Sequence, residues 1–512
     1  RALAINEKAL GPYHHKVVRN LNSLASLYKE TGQYAMAEPL YKRVLAIQEK
    51  AFGPDDPEVG TSLNNLALLY SAQGQYTQAE PLYKRALAID EKALGREHHS
   101  VARDLDNLAG LYRDHGEWAQ AKALYERALA IEQKALGPDH PTVATILNNL
   151  GGLYAIELDY AQAEPLCRRA LAINEKALGP DHYEVAVILR NLARMYDTQG
   201  QYAVAEPLYK RALAIQEKAL GPYHPSEVRG LYDLAEVYTN QGEYAQAEPL
   251  YKRAIRISEK AFGPDHPSEV RGLYKLAELY IITVRAAMAE PLYKRALAIQ
   301  EKTLGPDHPE VAVNLSNLAH LYKQIGQYAV AEPLYKRVLA IQEKGLGPYH
   351  PSEVMDLDDL AELYTNQDKY AQAEPLYKRA LAIRERDLGP DHPEVAANLK
   401  NLARVYSEQG EYAQAEPLYK RAITISEKAF GPDHYEVAVN LMNLAWMYEQ
   451  TGQHVMAEPL YKRALAIQEK GLGPYHPKVA ASLNNLALLY RKTGREKEAK
   501  ELEKQAAAIK VK

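Results

Sequence analysis

The chain has almost no cysteine: one, Cys167, in 512 residues. A single thiol cannot close an intramolecular disulfide, and no cysteine-rich zinc site can form around it. A reducing compartment suits such a chain, and a cytoplasmic location is the expectation. Phe (3) and Trp (2) are nearly missing while Tyr reaches 38, a skew that one Tyr-bearing motif copied many times would produce. Neither charge is in excess: 62 Lys and Arg face 66 Asp and Glu, for a net −4. The basic surplus of a phosphate-backbone binder is therefore lacking, and nucleic acid is not an expected partner. No apolar run approaches the ~18 residues of a membrane span, so no membrane partner is expected either. The chain opens on Arg1, in a helical pattern rather than a signal peptide. That opening reads as a fragment, which leaves room for an upstream domain before Arg1. No P-loop, paired-carboxylate motif or Ser-His-Asp set stands apart, so no enzyme, no catalytic residue, no metal and no cofactor are expected.

What is present is a period. A glycine in a G-P-D-H-P-like loop recurs every 42 residues, from Gly11, Gly53 and Gly95 through to Gly473, with no insertion or deletion. A chain this long exceeds a single core, and repetition at such a spacing points to stacked units. In the unit from Pro57 to Leu94, Val59, Leu63, Leu66, Ala67, Leu69 and Tyr70 follow helical spacing and define a first helix, A. Gly74 supplies its left-handed stop. A second helix, B, runs from Tyr76 to about Lys92 and buries Ala79, Tyr83, Ala86, Leu87 and Ile89. Gly95 ends it, and a proline opens the next helix A, where a missing N–H costs little. One hairpin cannot bury its apolar faces alone, but stacked neighbours can. The chain therefore divides into a leading half unit (1–10), eleven helix pairs (15–472) and a last pair (477–512) whose polar R-E-K-E-A-K-E-L-E-K face reads as a solvated C-terminal cap.

Several positions depart from this scheme or mimic chemistry. Pro81 sits inside helix B, where proline costs about 3 kcal/mol, and predicts a late start or a slight bend. The loop histidines form a row from His140 to His476. Neighbours in that row lie at least a helix spacing apart and cannot converge on one metal ion. The Lys84–Arg85 pair recurs in most units and, beside Glu80 and Glu91, reads as a salt-bridged face. Cys167 replaces a packing Tyr and reads as structural. In the unit at 267–304, Val284 replaces the turn glycine although a β-branched residue resists φ > 0. Either that turn is remodelled or helix A runs on, exposing Ile281 and Ile282. Leu158 and Asp368 also replace turn glycines.

The pattern L-x-N-L-A-x-L-Y followed by G-x-Y-x-x-A-x-x-x-Y-x-x-A-L resembles the tetratricopeptide repeat. Leu63, Asn65, Leu66, Ala67, Tyr70, Gly74, Tyr76, Ala79, Tyr83, Ala86 and Leu87 carry it here. The usual repeat is about 34 residues. The extended form, with A-I-x-E-K-x-L-G-P-D-H-P after helix B, is similar to kinesin light chain and nephrocystin-3-like repeats and their bacterial relatives. The resemblance covers the whole chain. It implies an all-α, right-handed superhelical solenoid of helix–turn–helix repeats, with helices A lining a concave groove that takes a peptide or a partner protein.

The resemblance also implies which residues read that partner. Asn65, Asn107, Asn149, Asn191, Asn317, Asn401, Asn443 and Asn485 hold one place in helix A, where the family's asparagine bonds the backbone of a bound peptide. An amide both donates and accepts, which suits main-chain recognition. The alternative is that Asn packs between units and bonds a neighbouring helix. Specificity is expected from neighbouring positions that vary: the basic Arg190, Arg194, Lys400 and Arg404, the acidic Asp358, Asp359 and Glu362, and the aromatic Tyr232, Tyr274 and Trp446. The alternative for each charge is a solvated face. Two functions follow as expectations: a protein-interaction scaffold, or the sensor or regulatory arm of a larger protein whose effector lies upstream. The partner's identity and the oligomeric state are left open.

Overall fold

A computed structural model describes residues 2–11, 13–30 and 33–510. Arg1 of the leading half unit and the last two residues of the final pair lie outside them. Among the described residues there are helices and no strands. The chain forms two compact units, Arg1–Gly263 and Pro264–Lys512. The first holds α1 (Ala2–Leu10), α2 (His15–Glu30), α3 (Tyr34–Phe52), α4 (Pro57–Ala72), α5 (Tyr76–Leu94), α6 (His99–Asp114), α7 (Trp118–Leu136), α8 (Pro141–Ile156), α9 (Tyr160–Leu178), α10 (Tyr183–Thr198), α11 (Tyr202–Leu220), α12 (Glu227–Asn240) and α13 (Tyr244–Phe262). The second holds α14 (Val270–Ile282), α15 (Ala286–Leu304), α16 (Pro309–Gln324), α17 (Tyr328–Leu346), α18 (Val354–Thr365), α19 (Tyr370–Leu388), α20 (Pro393–Glu408), α21 (Tyr412–Phe430), α22 (Tyr435–Gln450), α23 (His454–Leu472), α24 (Pro477–Lys492) and α25 (Glu496–Lys510). Within each unit, even-numbered helices are helix A and the following odd-numbered ones helix B. On α25 only Ala499, Ala506 and Ile509 are buried, so its outer face is solvated.

The apolar positions named from the sequence make the core. Val59, Leu63, Leu66, Ala67, Leu69 and Tyr70 of α4 and Ala79, Tyr83, Ala86 and Ile89 of α5 are buried, while Leu87 is half-buried against them. Gly74 takes φ +71 between the two helices. Pro81 does not delay α5, which starts at Tyr76 and runs through it. Its missing N–H would have reached Thr77, in the first turn, so one bond near a helix end is lost rather than one in mid-helix.

The histidine row has a capping job that the sequence alone does not disclose. His98, His140, His182, His308, His392, His434 and His476 each precede a helix A, and Nδ1 of each accepts from the backbone N–H two residues on. Asp56 does the same for α4 through its carboxylate. A ring nitrogen can accept only when unprotonated, so these caps belong to the neutral imidazole.

Surface charges lace neighbouring repeats together. Lys84 pairs with Glu80 at 2.6 Å on the same helix, and the Tyr112 hydroxyl of the next repeat donates to Glu80 at 2.8 Å. Arg85 reaches back to Glu49 of the preceding repeat at 2.7 Å and to the Pro54 carbonyl. The Tyr–Glu–Lys or Tyr–Glu–Arg contact recurs at Tyr196, Tyr238, Tyr322, Tyr364, Tyr406, Tyr448 and Tyr490.

Three loops differ in a way that shifts the register. P-S-E-V at 225–228, 267–270 and 351–354 places one extra residue before Val, so Glu227, Glu269 and Glu353 land where Val59, Val101 or Val311 packs elsewhere. All three glutamates are fully buried. Each is paired with an arginine of its own helix B: Glu227 with Arg253 at 2.6 Å, Glu269 with Arg295, and Glu353 with Arg379. A buried carboxylate persists only when such a partner replaces its water.

Buried polar pairs also mark the seams between consecutive repeats. Gln48 accepts from Ser62, Gln300 from Asn314 at 3.2 Å and Ser426 from Asn440 at 3.0 Å, while Gln342 donates to Asp356 at 2.9 Å. Asp90 and Asp104 hold the equivalent places, bridged by Arg103 at 3.5 and 3.3 Å. Burial pushes both carboxyls above the usual carboxylate range.

The repeat containing Val284 keeps its turn instead of remodelling it. Helix A ends at Ile282, and Val284 itself adopts φ +58 with 92% of its surface exposed. Leu158 and Asp368 do likewise, at φ 62 and 58. The turn bond from Arg285 N–H to the Tyr280 carbonyl, 2.7 Å, is the one that Gln75 makes to Tyr70 at 2.9 Å. Turn geometry is therefore imposed by the two helices it joins, and the local strain is tolerated. Ile282 is half exposed.

Candidate partner-binding face

The asparagine row falls on one face of helix A because its members are 42 residues apart or a multiple of that, and every helix A has the same frame. Asn65, Asn107, Asn149, Asn191, Asn317, Asn401 and Asn443 are half-buried, and Asn485 is exposed. Their hydrogen bonding divides them. Asn149 donates to Asp106 at 2.9 Å and Asn191 to the side-chain oxygen of Asn148 at 3.0 Å. Both therefore bond the preceding helix A. The side-chain amides of Asn65, Asn107, Asn317, Asn401, Asn443 and Asn485 make no hydrogen bond among the described residues.

The position just before the row does more internal work than its variability suggests. Asn64 is buried and donates to Asp104 at 2.6 Å. Tyr232 is 3% exposed and packs on Tyr251 with ring centroids 6.3 Å apart, so its ring belongs to the core. Tyr274 stands edge-on to Tyr293 and donates to Gln300 at 3.2 Å. Asp358 accepts from Arg384 at 2.6 Å and from Asn398 at 3.0 Å. Arg190 and Lys400 are half-buried. Burial, followed by the charges of Arg229 and Arg194, holds the Arg190 guanidinium below its usual range.

Asp359, in the asparagine row itself, is tied to Lys323 at 2.7 Å and to the Tyr335 hydroxyl at 3.0 Å. Desolvation opposes its charge, but hydrogen bonds from His320 and Lys323 prevail and hold its carboxyl below the usual range. Glu362 shares Lys323 at 2.6 Å and is exposed. Arg194 and Arg404 are exposed, and Trp446 is half-buried.

Two recesses collect these side chains. In the second unit, Asp358, Asp359, Glu362, Asn401 and Arg404 surround one of about 150 Å³ with Tyr377. In the first unit, Asn149, Asn191 and Arg194 join Arg113, Asn148 and Arg229 around a cavity of about 400 Å³. Cys167 lies at its base, fully buried, and burial pushes its thiol up to about 12, so it is no nucleophile at neutral pH. The bare face of Gly151 accommodates the sulfur, since a Cβ there would stand 2.5 Å from Sγ. The sequence marks Cys167 as an exception but not the cavity it leaves. The signal available was the loss of a Tyr beside the Gly151–Gly152 pair.

No group of His, Cys, Asp or Glu among the described residues is arranged to hold a metal ion. Nor is any described helix long and apolar enough to cross a membrane.

No curated protein matches the chain. Among solved structures, the nearly identical TPR-like repeats of a kinesin light chain candidate from Podosopora anserina are 31% identical; they cover 40% of this chain and 98% of their own, at a TM-score of 0.37. A variant of the same protein gives the same identity and TM-score. BtubC (BKLC) from P. vanneervenii is 26% identical over 48% of this chain and 92% of its own, at a TM-score of 0.36. The tetratricopeptide repeat model matches overlapping segments across the chain, from 1–50, 21–92 and 58–131 through 353–428, 408–470 and 450–510. The chain belongs to the tetratricopeptide repeat family.

Proposed function

We propose that this chain is a scaffold that binds an extended peptide, or an extended segment of a partner protein, on the face formed by the helices A within a unit. Tetratricopeptide repeats are in general protein–protein interaction modules. The observation that carries the finer reading is the set of six asparagines whose amides have no internal partner while five of their stems are half-buried. Amides held at a fixed repeat and left without a bond are suited to a ligand backbone, which offers a donor and an acceptor at every residue. Their neighbours give sequence preference: Arg404 and Glu362 supply charge and Trp446 an aromatic surface. A cytoplasmic location is part of the same reading.

The test is selection of binding peptides from a random displayed library on the full chain. Affinities are then compared with two variants, Asn65→Ala with Asn107→Ala in the first unit and Asn317→Ala with Asn401→Ala in the second. Each lost pair of backbone bonds is worth about 0.5–1.5 kcal/mol, so at least about fivefold weakening is expected for peptides bound to the altered unit. Peptides that bind both folded variants as tightly as the original would refute the assignment. Asn149 and Asn191 are unsuitable for this purpose, because their replacement also removes bonds inside the protein.

A further inference from the structure

The cavity over Cys167 is enlarged because a ring is missing: the equivalent recess that keeps its ring, at Tyr377, measures about 150 Å³ against about 400 Å³ here. Tyr fills the Cys167 position in the other full-length helices B, and where its hydroxyl bonds, it reaches two places. One is the residue twelve before it, as in Tyr461 to Glu449 at 2.9 Å. The other is the residue twenty-four after it, as in Tyr335 to Asp359 at 3.0 Å. Around Cys167 those two places are Ala155 and Asn191, and both line the cavity. The vacated ring volume is thus part of the opening, walled by Gly152, Ile156 and Met195.

Its rim is rich in donors. Arg113 is paired with Asp114 at 2.8 Å. Arg194 and Arg229 form no ion pair among the described residues, and Asn148 and Asn191 add amide groups. The acids of this stretch, Asp197, Asp233 and Glu236, act on Tyr209 of the next helix B, as Arg194 does, but none of the three lines the cavity. The lining itself sets Arg113, Arg194 and Arg229 against the single carboxylate Asp114, a surplus of two positive charges. A single carboxylate would neutralise one of them. A phosphate monoester, at a charge of about −1.5 to −2 near neutral pH and with three acceptor oxygens, answers both.

We propose that this cavity binds a phosphate monoester on an aromatic stem, with the ring in the space left by the missing tyrosine and the phosphoryl group held by Arg194 and Arg229. The inference rests on the reading of the helix A face as a binding face, and gives one stretch of it a ligand chemistry. The stem has two sources, a phosphotyrosine side chain within a bound peptide or a free aryl phosphate.

Calorimetric titration of the full chain with phenyl phosphate, with phenylacetate as the carboxylate control and with inorganic phosphate, tests it. Saturable binding of phenyl phosphate at least about tenfold tighter than either control is expected. Cys167→Tyr, which restores the residue used by the other repeats and plugs the cavity, should abolish binding. The paired change Arg194→Ala with Arg229→Ala, at exposed positions, should do so without altering thermal unfolding. O-phosphotyrosine compared with phosphotyrosine peptides of shuffled flanks separates the two sources. Absence of saturable phenyl phosphate binding, equal binding of phenylacetate, or binding that survives Cys167→Tyr and the double arginine change overturns the proposal. Retention of asparagine-dependent peptide binding in those variants would show that only the pocket had failed.

Discussion

Replacing Asp104 by Asn should stabilise the seam between α5 and α6, and by an amount that grows with pH. The Asp104 carboxyl is fully buried, accepts from Asn64 and Arg103, and shares Arg103 with Asp90. Burial first, and the Asp90 charge second, push it from 3.8 up to about 6. A carboxyl whose folded pKa lies above its unfolded value binds its proton more tightly in the folded state. Its contribution is therefore most favourable below about pH 4 and is lost as pH rises towards 6, levelling off above that. The rise of about two units corresponds to about 3 kcal/mol, roughly half of it falling between pH 5 and pH 8. The attraction of the half-exposed Arg103 is already contained in that net rise, so the Asn variant, uncharged at every pH, gains up to about 3 kcal/mol at pH 8. Amide hydrogen exchange of α5 and α6 peptides, corrected for intrinsic rates, reads the local opening free energy at each pH. A difference that stays flat from pH 5 to pH 8, or an Asn variant that is less stable at pH 8, would refute the reasoning.

Val284→Gly should stabilise its repeat by about 1 kcal/mol, because a β-branched residue is costly at φ +58 and glycine is not; thermal unfolding of the full chain checks this. Glu353→Val, which restores the residue that most repeats carry there, should be neutral or stabilising by up to about 2 kcal/mol, since Arg379 keeps Glu343. Glu353→Gln keeps the shape, loses the charge, and should cost about 1–3 kcal/mol; urea unfolding reads both. Leu66→Ala, at a 3% exposed position, should cost about 2–5 kcal/mol. Its exchange protection should fall in α4 and its immediate neighbours and stay unchanged several repeats away.

The helices were legible because three independent signals agreed in most repeats: the spacing of Leu and Ala, a glycine able to take positive φ, and a proline tolerated at the start of helix A. The turn at Val284 was legible as an anomaly but not as to its outcome. Sequence gives the strain of one residue, whereas the result depends on two flanking helices that hold the turn against it. The P-S-E-V loops look ordinary in the sequence because the glycine period is unbroken through them. Only the structure shows that Glu227 has taken a valine's place, with Arg253 supplied from the other helix of the hairpin. The face of helix A was legible as a face, yet bonds such as Asn64 to Asp104 or Asp358 to Asn398 join residues 40 apart. No local pattern distinguishes an amide that bonds its neighbour from one left for a ligand. The size of the cavity over Cys167 was hidden for the opposite reason, since it is set by what one position omits.

The polar pairs at the seams have a consequence for the order of the repeats. Helices and apolar positions are nearly interchangeable from one repeat to the next, so two repeats could trade places and keep the same core. Their seams could not. Asp358, satisfied by Arg384 of its own repeat and by Asn398 of the following one, would find Ile188 in place of that Asn beside a different neighbour. Asp90 moved beside Asn314 would no longer have Arg103 to bridge it to Asp104. Each seam thus names its own neighbour, and an array built from near-copies carries a fixed reading order in its buried side chains.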